Sequence, residues 1–261
     1  MYLLGHPVAH SLSPAMHNAA FAHLRLPHRY EALDVTADEL GGIVGRIRSG
    51  EVLGANITVP YKEAVLRFLD TWDGPTAEIG AANTVSRLAD GQIIGSNTDG
   101  VGFAYATRDL DLENARVLVL GAGGAARAVI TVLAGRRAQV SITNRTGARA
   151  RKLARSVGRS PAVVDWGADL APFDVVVNAT SVGLHGGDPL EGATLRPEMI
   201  VVDLVPTAAP TMLVKRARAA GATVIDGLPM LLQQAVSSFR IWTGQNAPVE
   251  VMRAALYASV S

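Results

Sequence analysis

The most constraining stretch of this chain is Val117-Leu118-Val119-Leu120 running straight into Gly121-Ala122-Gly123-Gly124-Ala125-Ala126. An unbroken apolar run reads as a strand buried on both faces. The glycines allow a tight turn, and a helical pattern follows from about residue 125 to 135. Such a turn lets backbone approach a pyrophosphate, while the helix N-terminus offers free amide donors and a positive dipole end. The spacing departs from G-x-G-x-x-G, since Ala126 stands at the last glycine position. Taken alone, the stretch is also compatible with a strand–helix turn that holds no ligand.

Its surroundings narrow the choice. Strand-like runs recur at 138–143, 161–164, 174–178, 200–204 and 222–226, with helical patterns at 147–157 and 210–220. That alternation predicts a doubly wound parallel sheet. About 20 residues beyond the glycines, a dinucleotide fold places the group that reads the adenosine ribose. The chain has Asn144-Arg145-Thr146 there, with Arg149 close behind. Guanidinium groups favour a 2′-phosphate, hence NADP over NAD. Arginine is common in this chain, 21 against three lysines, so a solvated helix start is the other reading of that segment.

Before this unit, strands are expected near 2–4, 29–34, 54–58, 83–88 and 93–96, and helices at 14–25, 37–48, 61–69 and 100–109. Ser13 before Pro14 suits a helix cap with proline at the first helical position. Ala89-Asp90-Gly91-Gln92 reads as a hairpin turn. After the sheet, residues 228–258 are helical with a break at Gly244 and Pro248.

Three polar groups in the first part invite chemistry. Lys62, in Val59-Pro60-Tyr61-Lys62-Glu63, falls in the first turn of the expected helix, where the dipole disfavours a cation. Asp99, in Asn97-Thr98-Asp99-Gly100, stands at a strand end, where it can meet Lys62 or a substrate hydroxyl, or simply sit in a helix's first turn. Ser11 and Ser13 precede a helix and can hold a carboxylate, or act as a cap and a loop serine.

Composition excludes other chemistries. The chain has no cysteine, which removes thiolate nucleophiles and cysteine-ligated metals. Its formal net charge of +1 gives no drive toward nucleic acid or an anionic membrane. Six histidines fall in no metal-ligand spacing, so no metal is expected. No secretory leader and no apolar run of membrane-spanning length is present in the sequence, which predicts a cytoplasmic protein. The ends coincide with element boundaries, as expected of a single-function chain.

Together the motifs resemble the shikimate/quinate dehydrogenase family, and its NADP-dependent shikimate dehydrogenases most. The resemblance is carried in order by Gly5–Pro14, Asn56–Glu63, Gly80–Val85, Asn97–Gly100, Gly121–Ala125, Asn144–Thr146, Asn178–Gly183 and Asp226–Leu231. It implies an α/β chain with a substrate-binding and catalytic domain at 1–99 and a Rossmann-type NADP domain at 100–229. Helices at 230–261 would return to the substrate domain. It implies reversible reduction of 3-dehydroshikimate to shikimate by NADPH, toward chorismate and the aromatic amino acids, by a monomer or homodimer.

The resemblance also implies roles. Lys62 would be the acid/base, paired with Asp99. Ser11 and Ser13 would bind the substrate carboxylate, and Thr58, Asn83, Asp99 and Gln234 its ring hydroxyls. Gly121, Ala122, Gly123, Gly124, Ala125, Asn144, Arg145, Thr146, Arg149, Thr180, Leu204 and Gly227 would line the cofactor site, with Met230 near the nicotinamide. The family usually carries a substrate-contacting Tyr after the strand ending at Val205, where this chain has Pro206 in a shortened loop. That departure leaves quinate as an alternative substrate, and a non-catalytic NADP-binding relative as a further alternative.

Overall fold

The computed structural model describes residues 1–158 and 160–260. The backbone divides into two compact units: one joins Met1–Gly102 to the stretch beginning at Leu231, and the other is Phe103–Met230.

The first unit contains β1 (Tyr2–Gly5), α1 (Ser13–His23), β2 (Glu31–Asp34), α2 (Glu39–Arg48) and β3 (Gly54–Ile57). A 3₁₀ segment at Ala64–Phe68 leads to β4 (Thr71–Trp72), α3 (Gly74–Ile79), β5 (Thr84–Arg87), β6 (Ile93–Ser96) and the start of α4 (Asp99–Ala106). Its sheet has the order β2-β1-β3-β5-β6-β4. Only β5 runs against the others. The β5–β6 hairpin closes where the Asp-Gly pair predicts, with Gly91 at φ +91°. Leu40, Val44 and Ile47 of α2 pack on one sheet face with Leu4, Ile57, Val85 and Ile93.

In chain order the second unit contains β7 (Arg116–Leu120), α5 (Gly124–Gly135), β8 (Gln139–Thr143), α6 (Gly147–Ser156), β9 (Ala162–Val163), β10 (Val175–Asn178), β11 (Ile200–Asp203), α7 (Met212–Ala219) and β12 (Thr223–Ile225). The sheet is wholly parallel in the order β12-β11-β10-β7-β8-β9, the doubly wound arrangement expected. Val117, Val119 and Ile142 face α5 and α6, whereas Leu118, Leu120 and Val176 face the layer that holds Leu213 of α7. The last helices are α8 (Gly227–Thr243) and α9 (Val249–Ala258), and α9 packs on α1 within the first unit.

Three local expectations differ from the structure. The helix expected over 61–69 is a turn followed by the 3₁₀ segment, so Lys62 precedes any helix and the dipole argument for it lapses. Ser13 begins α1 rather than capping it: Leu12 is the N-cap and makes no side-chain bond, while Ser11 Oγ accepts the Ser13 N–H at 3.2 Å. Finally, β4 and α3 lie in a stretch assigned no element. Asp73 caps α3 by accepting the Thr76 N–H at 2.9 Å, and Gly80 ends it at φ +67°. These short elements are set by cap chemistry and sheet-edge pairing rather than by periodicity.

Candidate active site

In the first unit β1, β3 and β6 end at the same sheet edge, and the reversed β5 begins there. Carboxyl ends of strands are where open α/β sheets bind ligands. Thr58 follows β3, Asn83 precedes β5, and Asn97-Thr98-Asp99 follow β6.

Lys62 and Asp99 meet directly, Nζ to Oδ2 at 2.5 Å, in a pair that is largely shielded from solvent. Asp99 is fixed from two further sides. Asn83 Nδ2 donates to its Oδ1 at 2.9 Å, and its N–H donates to Asn97 Oδ1 at 3.1 Å. Asn97 therefore caps α4, and Asp99 both occupies its first turn and faces Lys62. The two readings of this segment hold together.

Asn83 is 2% exposed and organises the surroundings. Its Oδ1 accepts the Thr98 N–H at 2.8 Å, and its Nδ2 lies 3.4 Å from Gln234 Oε1. Gln234, on α8, is thus brought to the same cluster from the far end of the chain. Thr58 stands at the same edge, anchored by its N–H to Leu4 O at 2.8 Å, and its hydroxyl has no intramolecular partner among the described residues. Ser13 is buried and Ser11 half-buried at the start of α1.

Sequence reasoning gave no role to Tyr30, Thr84 and Ser238, nor a specific one to Asn56. Tyr30 donates from its hydroxyl to Asn56 Oδ1 at 2.8 Å, and Asn56 Nδ2 lies 3.0 Å from Ser238 Oγ. Thr84 Oγ1 is 2.8 Å from Ser238 Oγ. The available signal for Ser238 was its position one helical turn beyond Gln234, on the same face of α8. Nearby, His17 is fully buried, stacks on Tyr30 at 4.4 Å between ring centroids, and has no partner for either ring nitrogen among the described residues. Burial pushes its imidazole down to about 3.

The second unit carries the glycine turn. Gly121 has φ +115°, and a Cβ there would lie 2.8 Å from the Ala179 carbonyl oxygen. Ala122, Gly123, Gly124 and Ala125 continue the turn into α5, for which Gly123 is the extended N-cap. The first amides of α5 therefore have no side-chain cap, as an anion site at a helix N-terminus requires.

Beyond β8, Asn144 Nδ2 donates to the Thr146 carbonyl at 3.0 Å, shaping the turn that leads into α6. Arg145 and Arg149 are exposed, and neither makes an ion pair among the described residues. Beyond β10, Thr180 Oγ1 donates to Asn178 Oδ1 at 2.7 Å. Asn178 Nδ2 in turn donates to Asp203 Oδ1 at 2.8 Å. Asp203 is buried, which raises its carboxyl, and Thr211 holds it by a hydroxyl at 2.5 Å. A Cβ on Gly227 would lie 2.9 Å from the Leu204 carbonyl, so these two expected cofactor residues are in close contact. Met230 is packed into the core beside Val119 and Val202. The donor set fits a dinucleotide with a phosphorylated ribose: a glycine cradle that a side chain would fill, open helix amides and two exposed guanidinium groups.

Among the described residues no group of three or more His, Asp or Glu is placed to hold a metal ion, and no helix is long and apolar enough to cross a membrane.

Comparison with known proteins agrees with these features. Family models match along the chain: shikimate dehydrogenase substrate binding domain over residues 3–85, shikimate / quinate 5-dehydrogenase over 104–186, and shikimate 5'-dehydrogenase C-terminal domain over 227–257. The chain is 43% identical to the shikimate dehydrogenase (NADP(+)) of Methanopyrus kandleri, covering 97% of this chain and 93% of that protein. Among solved structures it superposes with TM-score 0.91 on a shikimate dehydrogenase in complex with NADP+, 35% identical, covering 100% of this chain and 95% of that one. The Thermus thermophilus shikimate 5-dehydrogenase in complex with NADP(H) and shikimate gives a TM-score of 0.85 at 38% identity, covering 99% and 98%.

Proposed function

The chain belongs to the shikimate dehydrogenase family, and from that premise we propose that it is an NADP-dependent oxidoreductase interconverting 3-dehydroshikimate and shikimate. The shielded Lys62–Asp99 pair, set among Asn83, Thr98 and Gln234, is the observation that carries this reading. A relative reduced to binding alone would have no need of such a pair.

A bound NADP would supply the hydride acceptor and donor. The rest is done by side chains. As the ketone carbon is reduced, negative charge develops on its oxygen, and the Lys62 ammonium donates a proton there. In the reverse direction neutral Lys62 takes the hydroxyl proton. Acid–base help of this kind contributes about 10²–10⁴-fold. Asp99 orients the amine, and Asn83 holds Asp99. Thr58, Asn83, Asp99 and Gln234 bind the ring hydroxyls, while Ser11 and Ser13 receive the carboxylate. Gly121, Ala122, Gly123, Gly124 and Ala125 would cradle the pyrophosphate, and Arg145 and Arg149 the 2′-phosphate, with Asn144, Thr146, Thr180, Leu204, Gly227 and Met230 completing the site.

The division into residues 1–99 with 230–261 for substrate, and 100–229 for cofactor, is supported by the two compact units. A cytoplasmic location belongs to the same proposal. The test follows NADPH absorbance with purified protein, supplying shikimate with NADP, quinate with NADP, and shikimate with NAD. NADPH formation from shikimate is expected to dominate. No turnover would overturn the reading, and a preference for quinate would show that Pro206 redirects the substrate.

A further inference from the structure

A continuous line of buried hydrogen bonds joins the two ends of the substrate site in the first unit. Tyr30 is 1% exposed and gives its hydroxyl proton to Asn56 Oδ1 at 2.8 Å. Its backbone is clamped to α1 by Asn18, whose Oδ1 accepts the Tyr30 N–H at 2.8 Å and whose Nδ2 donates to the Tyr30 carbonyl at 2.9 Å. Asn56, 4% exposed, directs Nδ2 at the Asn83 carbonyl and at Ser238 Oγ, both at 3.0 Å. Ser238, with no exposure, gives its own proton to the Gln234 carbonyl at 3.0 Å and lies 3.2 Å from Thr98 Oγ1. From Asn83 and Thr98 the line continues to Asp99 and Lys62.

We propose that Tyr30 and Ser238 are positioning residues: through Asn56 they tie α1, which opens with Ser13, and Gln234 on α8 to the Asn83–Asp99 loop, fixing the distance from carboxylate end to hydroxyl end. The proposal rests on the functional reading above. The chemistry supports it because an amide oxygen and an amide nitrogen cannot exchange places in this setting. The Asn83 carbonyl can only accept and so selects the Asn56 amide nitrogen. That choice turns the Asn56 oxygen toward Tyr30, whose hydroxyl must then donate. Without the phenol, the Asn56 oxygen is buried without a donor and the amide loses the bond that anchors it on the Tyr30 side.

The test compares Tyr30→Phe, Ser238→Ala and Phe21→Leu with the wild type. Phe21 stacks on Phe239 at 5.3 Å beside the same network but contributes no polar group. Steady-state kinetics are measured with shikimate and with its methyl ester, which lacks the charged carboxylate, alongside KM for NADP and Tm. For Tyr30→Phe and Ser238→Ala the KM for shikimate is expected to rise roughly tenfold, the order of one lost hydrogen bond. kcat should stay within about threefold, and KM for NADP should not change. Tyr30→Phe should also shrink the preference for shikimate over the ester. Phe21→Leu should lower Tm with KM for shikimate unchanged. If both hydroxyl variants lower Tm but leave KM for shikimate and the ester preference at wild-type values, their role is structural and the proposal falls. Ser238→Ala removes a single atom, and its KM for shikimate decides the matter should Tyr30→Phe not fold. Failure of the wild type to oxidise shikimate would instead overturn the functional reading, and the proposal with it.

Discussion

Lys62 Nζ and Asp99 Oδ2 lie 2.5 Å apart with 14% and 7% of their side-chain surfaces exposed. One partner precedes a 3₁₀ turn and the other opens a helix, so the pair exists only in the folded sheet edge. Replacing Lys62 by Ala is expected to lower kcat about 10²–10⁴-fold while KM for shikimate changes little. Steady-state rates with both substrates check this, and a near-wild-type kcat would remove Lys62 from the chemistry.

Arg145 and Arg149 should set the cofactor preference. Charge-assisted bonds to a phosphate are strong, so losing either guanidinium should raise KM for NADP roughly 10- to 100-fold. KM for NAD should stay where it is. A parallel rise for both cofactors would mean that these residues hold the fold of the loop rather than read the phosphate.

Gly121 tests the turn itself. At φ +115°, with the Ala179 carbonyl in the way, Gly121→Ala introduces strain on the order of 1–3 kcal/mol. A lower Tm and weaker NADP binding are expected together, with calorimetry reading both. An alanine variant with unchanged Tm would show that the loop relaxes freely.

His17 gives a pH signature. Its folded-state imidazole is depressed to about 3 by burial. Because the unfolded chain binds the proton more readily, the stability contributed by neutral His17 is full above about pH 6.5. It is lost as pH falls toward 3, by about 1.4 kcal/mol per unit. His17→Phe keeps a flat ring against Tyr30 and should flatten the fall in Tm between pH 6.5 and 4. Equal slopes in variant and wild type would place the titration elsewhere.

Legibility in the sequence followed sequence distance. The β7–Gly121–α5 segment was readable because a doubly buried strand and a glycine turn are local patterns. The Asp-Gly hairpin was readable for the same reason. The two residues of β4 and the six of α3 carry no such period, and their existence depends on β6 and on the Asp73 cap. Lys62, Asp99 and Asn83 could be named from ordered motifs. The Asn56–Ser238 bond could not, since its partners are 182 positions apart and neither belongs to a charged or metal-binding pattern.

The substrate unit is assembled from both ends of the chain. Trp242 on α8 donates to the Val85 carbonyl at 3.1 Å, and Gln234 and Ser238 on the same helix complete the site. During synthesis, the first 102 residues leave the ribosome with that helix still unmade, and residues 103–230 come between. At about 5–20 residues per second, those 128 residues (230 − 103 + 1) take roughly 6–26 s. For that interval the nascent sheet exposes the face that α8 will cover, and the second unit has all its residues before the first does. The order of folding in the cell is therefore expected to invert the order of translation.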